Sequence, residues 1–297
     1  MATFLLWSDW KPLALAKSPN AATLSEILDG GQAFRWNRTP EGVWQGVWSD
    51  CVARLRLSDQ GNLQWSAPNA IADAVGPALE SYFGAGTDFD AVIDRMPWRS
   101  DPHLANCIQT FPALRILHQP FGETLLHFLC SATKQIVQIK QMSELIALRH
   151  GKEIVAGFHR LPTWAELATV PEDALRACLL GFRARYIKAT ALFLAEHTGW
   201  LEDVEKLPYF EAKLKLRELP GVGEKVADCV LLFGAQRFEA FPVDVWITKA
   251  MAVRYGLITG WTPQQIAHFG RTHYGAYAGL AQQFLFAYER KNRKDVI

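Results

Sequence analysis

The chain has 297 residues, 49% hydrophobic and 12% aromatic, with a formal net charge of +1. That is enough apolar side chain for one large domain or two to three small ones, and it excludes a disordered chain. A charge balance this close to neutral does not announce a polyanionic partner, so a nucleic-acid face would have to be a local basic patch.

The cysteines, Cys51, Cys107, Cys130, Cys178 and Cys229, form no Cys-x-x-Cys pair. Their scatter argues against zinc or an iron–sulfur cluster and fits reduced thiols in an intracellular compartment. No stretch is long enough to span a membrane. The opening run Met1–Trp10 lacks the basic region of a signal peptide.

In chain order, Thr23-Leu24-Ser25-Glu26 has capping-box spacing and predicts a short helix ending at Gly30-Gly31. Gly31 there reads as a helix C-cap. From Gln32 to Trp65 the pattern changes to period two. Phe34 and Trp36 share a face, Ala53, Leu55 and Leu57 share another, and Arg54 and Arg56 alternate outward. Thr39-Pro40-Glu41-Gly42 and Asp59-Gln60-Gly61-Asn62 are turn signals. The pattern predicts an antiparallel sheet flanked by helices, one of them around Ala78 to Phe83. Beyond Asp101 the chain reads as helical, with helices at 103–110, 122–130, 136–149, 163–168, 171–179, 184–197, 262–273 and 278–290. Connections are short, as in packed helical domains. A sheet followed by helices is α+β, with a sheet domain over 1–105 and a helical domain over 106–297.

Within the helical part, Tyr209 to Glu218 predicts one helix, with Phe210, Leu214 and Leu219 near helical spacing. Val226, Val230 and Phe233 mark one apolar face of a second. Leu219-Pro220-Gly221-Val222-Gly223 joins them, so 209–235 reads as a helix-hairpin-helix. Pro220 stops the first helix, and Gly221 and Gly223 permit a turn that bulkier residues resist. The turn leaves backbone N–H groups at a positive helix end, which suits a DNA phosphate. The plainer alternative is an αα-hairpin that only packs.

Lys225 lies just inside the second helix and shares a face with Cys229, four residues on. A free lysine, with a reference pKa of ~10.4, is protonated and not nucleophilic. Desolvation and a positive helix end both favour the neutral amine, which can attack carbon and form a Schiff base. The alternative is a surface lysine paired with Asp228 along the helix. Asp244, in Phe241-Pro242-Val243-Asp244-Val245-Trp246, stands at an N-cap position. Its carboxylate can also face the cleft of Lys225, where it would stabilise a cation developing at a sugar carbon.

The run from Leu219 to Asp244 resembles the helix-hairpin-helix Gly/Pro-Asp superfamily of DNA glycosylases, and within it the 8-oxoguanine DNA glycosylases. The resemblance extends from Gly31-Gln32-Ala33-Phe34-Arg35-Trp36 to Gln282-Gln283-Phe284-Leu285-Phe286. It implies a sheet domain packed on a two-lobed helical domain that grips DNA at the lobe junction. The implied activity is excision of 8-oxoguanine and β-elimination of the strand, with Lys225 as nucleophile and Asp244 as essential carboxylate. A base must be extruded from the duplex before its sugar can be attacked. For that base the resemblance implies stacking on Phe286, cover from Cys229, an edge contact from Gln282, and the Gly31 carbonyl on the N7 hydrogen that guanine lacks. Packing alone is the alternative for Phe286, and a solvated amide for Gln282.

Around the gap the resemblance places Thr133 at a family asparagine, Gln138 at an arginine, Arg183 at a second arginine and Phe182 at a wedge tyrosine. The departures at Thr133 and Gln138 imply a weaker preference for cytosine opposite the lesion. Trp246 stands where the family has a histidine. No cofactor is required by this reading, and there is no zinc or iron–sulfur cluster. The family can hold a monovalent cation on hairpin carbonyls. The expected partner is double-stranded DNA containing an oxidised purine, with no membrane, acted on by a monomer in the cytoplasm, nucleoid or nucleus. Two readings compete: an alkylpurine glycosylase of the same fold, whose monofunctional members lack the hairpin lysine, and a non-catalytic helix-hairpin-helix DNA-binding module.

Overall fold

The computed structural model describes residues 5–256 and 260–292. Met1 to Phe4 of the opening run, and the last five residues of the expected helical domain, lie outside the described residues.

The period-two stretch supplies the last four strands of a five-stranded antiparallel sheet in the order β1-β5-β4-β3-β2, the first strand coming from earlier in the chain. The strands are β1 (Lys11–Pro12), β2 (Trp36–Arg38), β3 (Trp44–Trp48), β4 (Cys51–Leu57) and β5 (Leu63–Ser66). Register sets Trp44 beside Leu55 and Leu55 beside Trp65, so large apolar side chains collect on one face, while Gln45 and Arg54 pair on the other. The apolar face packs on α1 (Ala21–Asp29) and α2 (Ala72–Tyr82). Trp36 stacks on Trp48 at 5.7 Å between ring centroids, and its indole N–H donates to the Tyr82 hydroxyl at 3.2 Å. The first helix starts a turn earlier than expected. Asn20 is its cap, accepting from the Thr23 N–H at 2.8 Å, and Thr23 lies inside the helix. Asparagine is the stronger cap, and starting at Ala21 turns Leu24, Ile27 and Leu28 into the core.

Two helices, α3 (Phe89–Asp94) and α4 (Pro102–Thr110), lead into the helical part. The expected division at 105/106 falls within α4, which packs on the last helix. Then come α5 (Phe121–Cys130), α6 (Ile136–His150), α7 (Trp164–Thr169), α8 (Glu172–Leu175) and α9 (Arg183–Glu196). They are followed by α10 (Trp200–Lys206), α11 (Tyr209–Leu216), α12 (Glu224–Ala235), α13 (Val245–Tyr255), α14 (Pro263–Tyr274) and α15 (Ala278–Lys291). Helix α5 lies at the centre and packs on α12, with Phe128 stacked on Phe233 at 5.6 Å.

Three expectations need correction. The stretch beyond Asp101 is not wholly helical, because β6 (Glu153–Val155) and β7 (Phe158–His159) form a small antiparallel hairpin. The helix expected over 171–179 ends at Leu175 and gives way to a wide π turn over Arg176–Leu180, in which Leu179 adopts a left-handed φ of 64°. On α11, Phe210 and Leu214 are exposed, and Tyr209, Ala212, Lys213 and Leu216 are the buried face. Hydropathy pointed to the wrong face because a buried lysine is held there by an ion pair.

Candidate active site

The hairpin turn follows from its glycines. Gly221 has φ of 81°, and a Cβ there would meet the Tyr186 ring of α9 at 2.8 Å, so only glycine fits without displacing that ring. Gly223 is the N-cap of α12 and supplies no capping side chain, which leaves the first-turn N–H groups for another acceptor.

Beneath the turn lies a buried polar cluster. The Lys213 amine, on a side chain 10% exposed, is 2.7 Å from Glu224 and 2.9 Å from Asp228. The Tyr209 hydroxyl donates to Asp228 at 2.6 Å. Burial raises the Asp228 carboxyl, and the Lys213 charge and the tyrosine hydrogen bond oppose that rise. Asp228 therefore pairs across the hairpin with Lys213 and Tyr209, which removes the alternative of a surface Lys225 paired with Asp228 along its own helix. The reason is tertiary: α11 packs on α12 and brings Lys213 to the side of α12 that carries Asp228.

Lys225 sits instead over the Phe128 ring, 4.8 Å from its centroid. Cys229 beside it is buried, and burial pushes its thiol up to about 12 against the pull of the Lys225 amine. It is a packing group and not a nucleophile. Asp244 caps α13, accepting from the Ile247 N–H at 2.9 Å. Burial raises its carboxyl, opposed by that N–H and by the Lys225 charge. Capping and facing Lys225 are therefore simultaneous roles. The two residues line one cleft of 880 Å³ together with Gly31, Phe286 and Trp246.

The other wall joins the two ends of the fold. Gly31 follows the end of α1 at φ of 102°; a Cβ there would lie 3.1 Å from Ile136 and 3.7 Å from the Phe286 ring. The helix C-cap itself is Gly30, one residue earlier than the reading given to Gly31. One turn of α15 before Phe286, Gln282 is 5% exposed, and among the described residues its Oε1 is buried with no hydrogen-bond partner. One turn after Phe286, Arg290 donates to the Glu26 carboxylate at 2.7 Å and to the Asp29 carbonyl at 3.3 Å. This clasp pins the glycine-bearing end of α1 to α15. The sequence reading missed it, although positions 282, 286 and 290 share helical spacing. Nothing in the sequence marks Glu26 as the partner.

Across the cleft, Thr133 sits at φ of 56° in the loop between α5 and α6. Arg183 is 3% exposed. It donates to the Ala132 carbonyl at 3.1 Å, the Leu180 carbonyl at 3.2 Å and the Thr133 hydroxyl at 3.0 Å. The structure thus brings Thr133 and Arg183 together, with the guanidinium engaged by protein acceptors. Gln138 accepts from the Gln135 N–H at 3.1 Å in the capping box of α6. It lines a neighbouring cavity and not the main cleft. Phe182 is exposed, its ring edge-on to Tyr186 at 6.1 Å.

The geometry agrees with what comparison finds. Residues 14–125 match the family described as 8-oxoguanine DNA glycosylase, N-terminal domain. The N-glycosylase/DNA lyase OGG1 of Arabidopsis thaliana is 30% identical over 312 residues, covering 97% of this chain and 82% of that protein. The N-glycosylase/DNA lyase of Saccharomyces cerevisiae is 28% identical, covering 79% of this chain and 69% of that protein. The crystal structure of Clostridium acetobutylicum 8-oxoguanine glycosylase/lyase, in complex with double-stranded DNA containing cytosine opposite 8-oxoguanine, superposes with a TM-score of 0.84 at 29% identity. That alignment covers 97% of this chain and 99% of that one.

Proposed function

This chain belongs to the OGG1 family of N-glycosylase/DNA lyases, enzymes of base excision repair, and we propose that it removes 8-oxoguanine from double-stranded DNA with Lys225 as nucleophile and Asp244 as the stabilising carboxylate. The observation that carries this reading is that Lys225, Asp244, Gly31 and Phe286, read separately from the sequence, line a single cleft.

With the base extruded, the Lys225 Nζ lone pair forms a bond to the sugar C1′. The bond from C1′ to the base breaks, and the base leaves with the electron pair and takes up a proton. Asp244, anionic in its reactive form, stabilises the positive charge that develops at the sugar. Opening of the sugar ring gives a Schiff base on Nζ. Loss of a C2′ proton then expels the 3′ phosphate, and hydrolysis of the imine restores the lysine. The Gln282 Oε1, buried without a donor, supports its role as acceptor for an N–H of the flipped base. Phe286 supplies one stacking face and Cys229 packs toward the other. The Gly31 carbonyl accepts the N7 hydrogen of 8-oxoguanine and opposes the N7 lone pair of guanine.

No step needs a cofactor. For a monovalent cation the donors would be hairpin carbonyls. Those of Leu219 and Gly223 already accept the Val222 and Ala227 N–H groups, and Glu224 is taken by Lys213 and Arg217. That carbonyl-only set fits a weakly held monovalent ion. No helix among the described residues is long and apolar enough to cross a membrane. The substrate places the protein with the genome, inside the cell.

The test is borohydride reduction on a duplex containing 8-oxoguanine. The wild-type chain is expected to form a covalent adduct. Lys225→Gln is expected to form none while still binding the damaged duplex; undiminished trapping in that variant moves the nucleophile elsewhere.

A further inference from the structure

A leucine occupies a backbone position that favours glycine. Leu179 has φ of 64°, where its Cβ crowds the following carbonyl. Core packing does not account for it, because the side chain is 53% exposed. The surrounding turn is nonetheless firmly held. Arg149 donates to the Ala177 carbonyl at 2.8 Å, Arg183 to the Leu180 carbonyl at 3.2 Å and Arg176 to the Gly181 carbonyl at 3.1 Å. Three guanidinium groups thus fix the backbone on both sides of an exposed apolar residue.

The place it occupies is specific. Leu179 lines a cavity of 440 Å³ with Lys134, Gln138 and Gln141, and Lys134 and Gln141 also line the main cleft. Phe182, 45% exposed, follows three residues later on the far side of Gly181. Apolar side chains that enter DNA unstack a base step and hold the duplex bent. We propose that Leu179 is a second wedge, which enters the stack beside the unpaired partner of the extruded base while Phe182 fills the gap. The backbone strain is the structural cost of presenting that side chain at a fixed angle. This inference rests on the glycosylase reading of the cleft.

The experiment uses the full chain with Leu179→Ala, Leu179→Gly and Leu179→Met. The duplex carries 8-oxoguanine, with 2-aminopurine next to the partner base on the opposite strand. Fluorescence is read in the Lys225→Gln background, so that binding and unstacking are seen without chemistry. Single-turnover excision is read with Lys225 intact. Leu179→Ala and Leu179→Gly are expected to lose most of the fluorescence rise and to slow excision about tenfold, on the scale of the unstacking that extrusion requires. Leu179→Met is expected to restore both. Leu179→Gly is expected to melt no lower than wild type, since glycine relieves the strained φ. Rates and fluorescence within twofold of wild type in both truncations overturn the proposal. So does a loss that follows a lowered Tm and is not restored by methionine. A wild-type chain that neither excises nor traps would sink the glycosylase reading instead.

Discussion

The two walls of the cleft are built in opposite ways. On the wall formed by α12, α13, α15 and the end of α1, polar groups are held ready: Asp244 lines the cleft with Lys225, and Gln282, one turn before Phe286 on α15, has a buried Oε1 without a partner among the described residues. Across from it, at the loop carrying Thr133 and at the turn carrying Leu179, which lines the neighbouring cavity that shares Lys134 and Gln141 with the cleft, polar groups are already engaged. The Arg183 guanidinium is tied to loop acceptors and the Gln138 amide to a helix cap. What that wall offers is strained backbone, with φ of 56° at Thr133 and 64° at Leu179, and the exposed apolar side chains of Leu179 and Phe182. The first wall is suited to reading a base, the second to holding DNA open. Discrimination among lesions should therefore reside on the first, and tolerance of different partner bases on the second.

The comparison is most sharply tested by its charges. Asp244→Asn is expected to lower single-turnover excision ~10²–10³-fold, as for loss of a preorganised electrostatic group. Its Tm should hold, because asparagine caps a helix as well as aspartate does. Asp228→Asn should do the reverse. It leaves Lys213 buried with a weakened set of acceptors, which is expected to destabilise by about 1–3 kcal/mol while the folded enzyme turns over normally. Melting curves beside single-turnover rates separate the two, and the opposite ranking would exchange their roles.

Gln282→Leu tests the ready polar group. Removing a buried atom without a partner should leave Tm unchanged or raised, while excision of 8-oxoguanine falls ~10–100-fold from loss of a buried hydrogen bond. A variant that loses stability together with activity would mean Gln282 is a packing residue. On the second wall, the preference for cytosine over adenine opposite the lesion is expected to be about tenfold or a little more, since a lost base contact removes ~1–3 kcal/mol of discrimination. Excision of 8-oxoguanine opposite C, A, G and T at fixed salt measures it. A thousandfold preference for cytosine would show that the Arg183 guanidinium or Lys134 turns toward the partner base.

The smallest effect on rate is expected away from both walls. Glu123 of α5 accepts from the Ser49 N–H at 2.8 Å, joining α5 to the turn between β3 and β4. Burial raises its carboxyl from 4.5 to about 7, against the pull of Arg35 and the Ser49 N–H. The folded protein thus holds this proton more tightly than the unfolded chain. The associated stability is fully present below pH 4.5 and is lost as pH rises through about 7. Glu123→Gln should raise stability by about 1–3 kcal/mol at pH 8, leave it unchanged at pH 4, and alter the excision rate at neither. Melting temperatures across that range check the sign. A shift in the rate profile would connect Glu123 to the cleft.

Much of the first wall was legible because its signals are local. Pro220, Gly221 and Gly223 specify a turn, Lys225 and Asp244 stand at fixed offsets from helix starts, and Gln282 and Phe286 share a face by spacing. The supports of that wall were not legible, because they are long-range ion pairs. Lys213 reads as a surface lysine until α12 brings Asp228 to it, and this also reversed the expected face of α11. The second wall misled for another reason. Leu179 fits an apolar helical period, and no periodicity distinguishes a leucine at negative φ from one forced to positive φ by the guanidinium groups around it.

The clasp between Glu26 and Arg290 has a consequence for how the protein is made. Its partners lie 264 positions apart. At 5–20 residues per second, a ribosome that has finished the first needs roughly 13–53 s to reach the second. Through that interval Gly31 has no Phe286 beside it and Glu26 remains in water. The hairpin with Lys225 emerges before α15, so the lysine is made before the helix that carries Gln282 and Phe286. The docking of α15 is therefore the step that brings Phe286 to Gly31 and completes the cleft around Lys225.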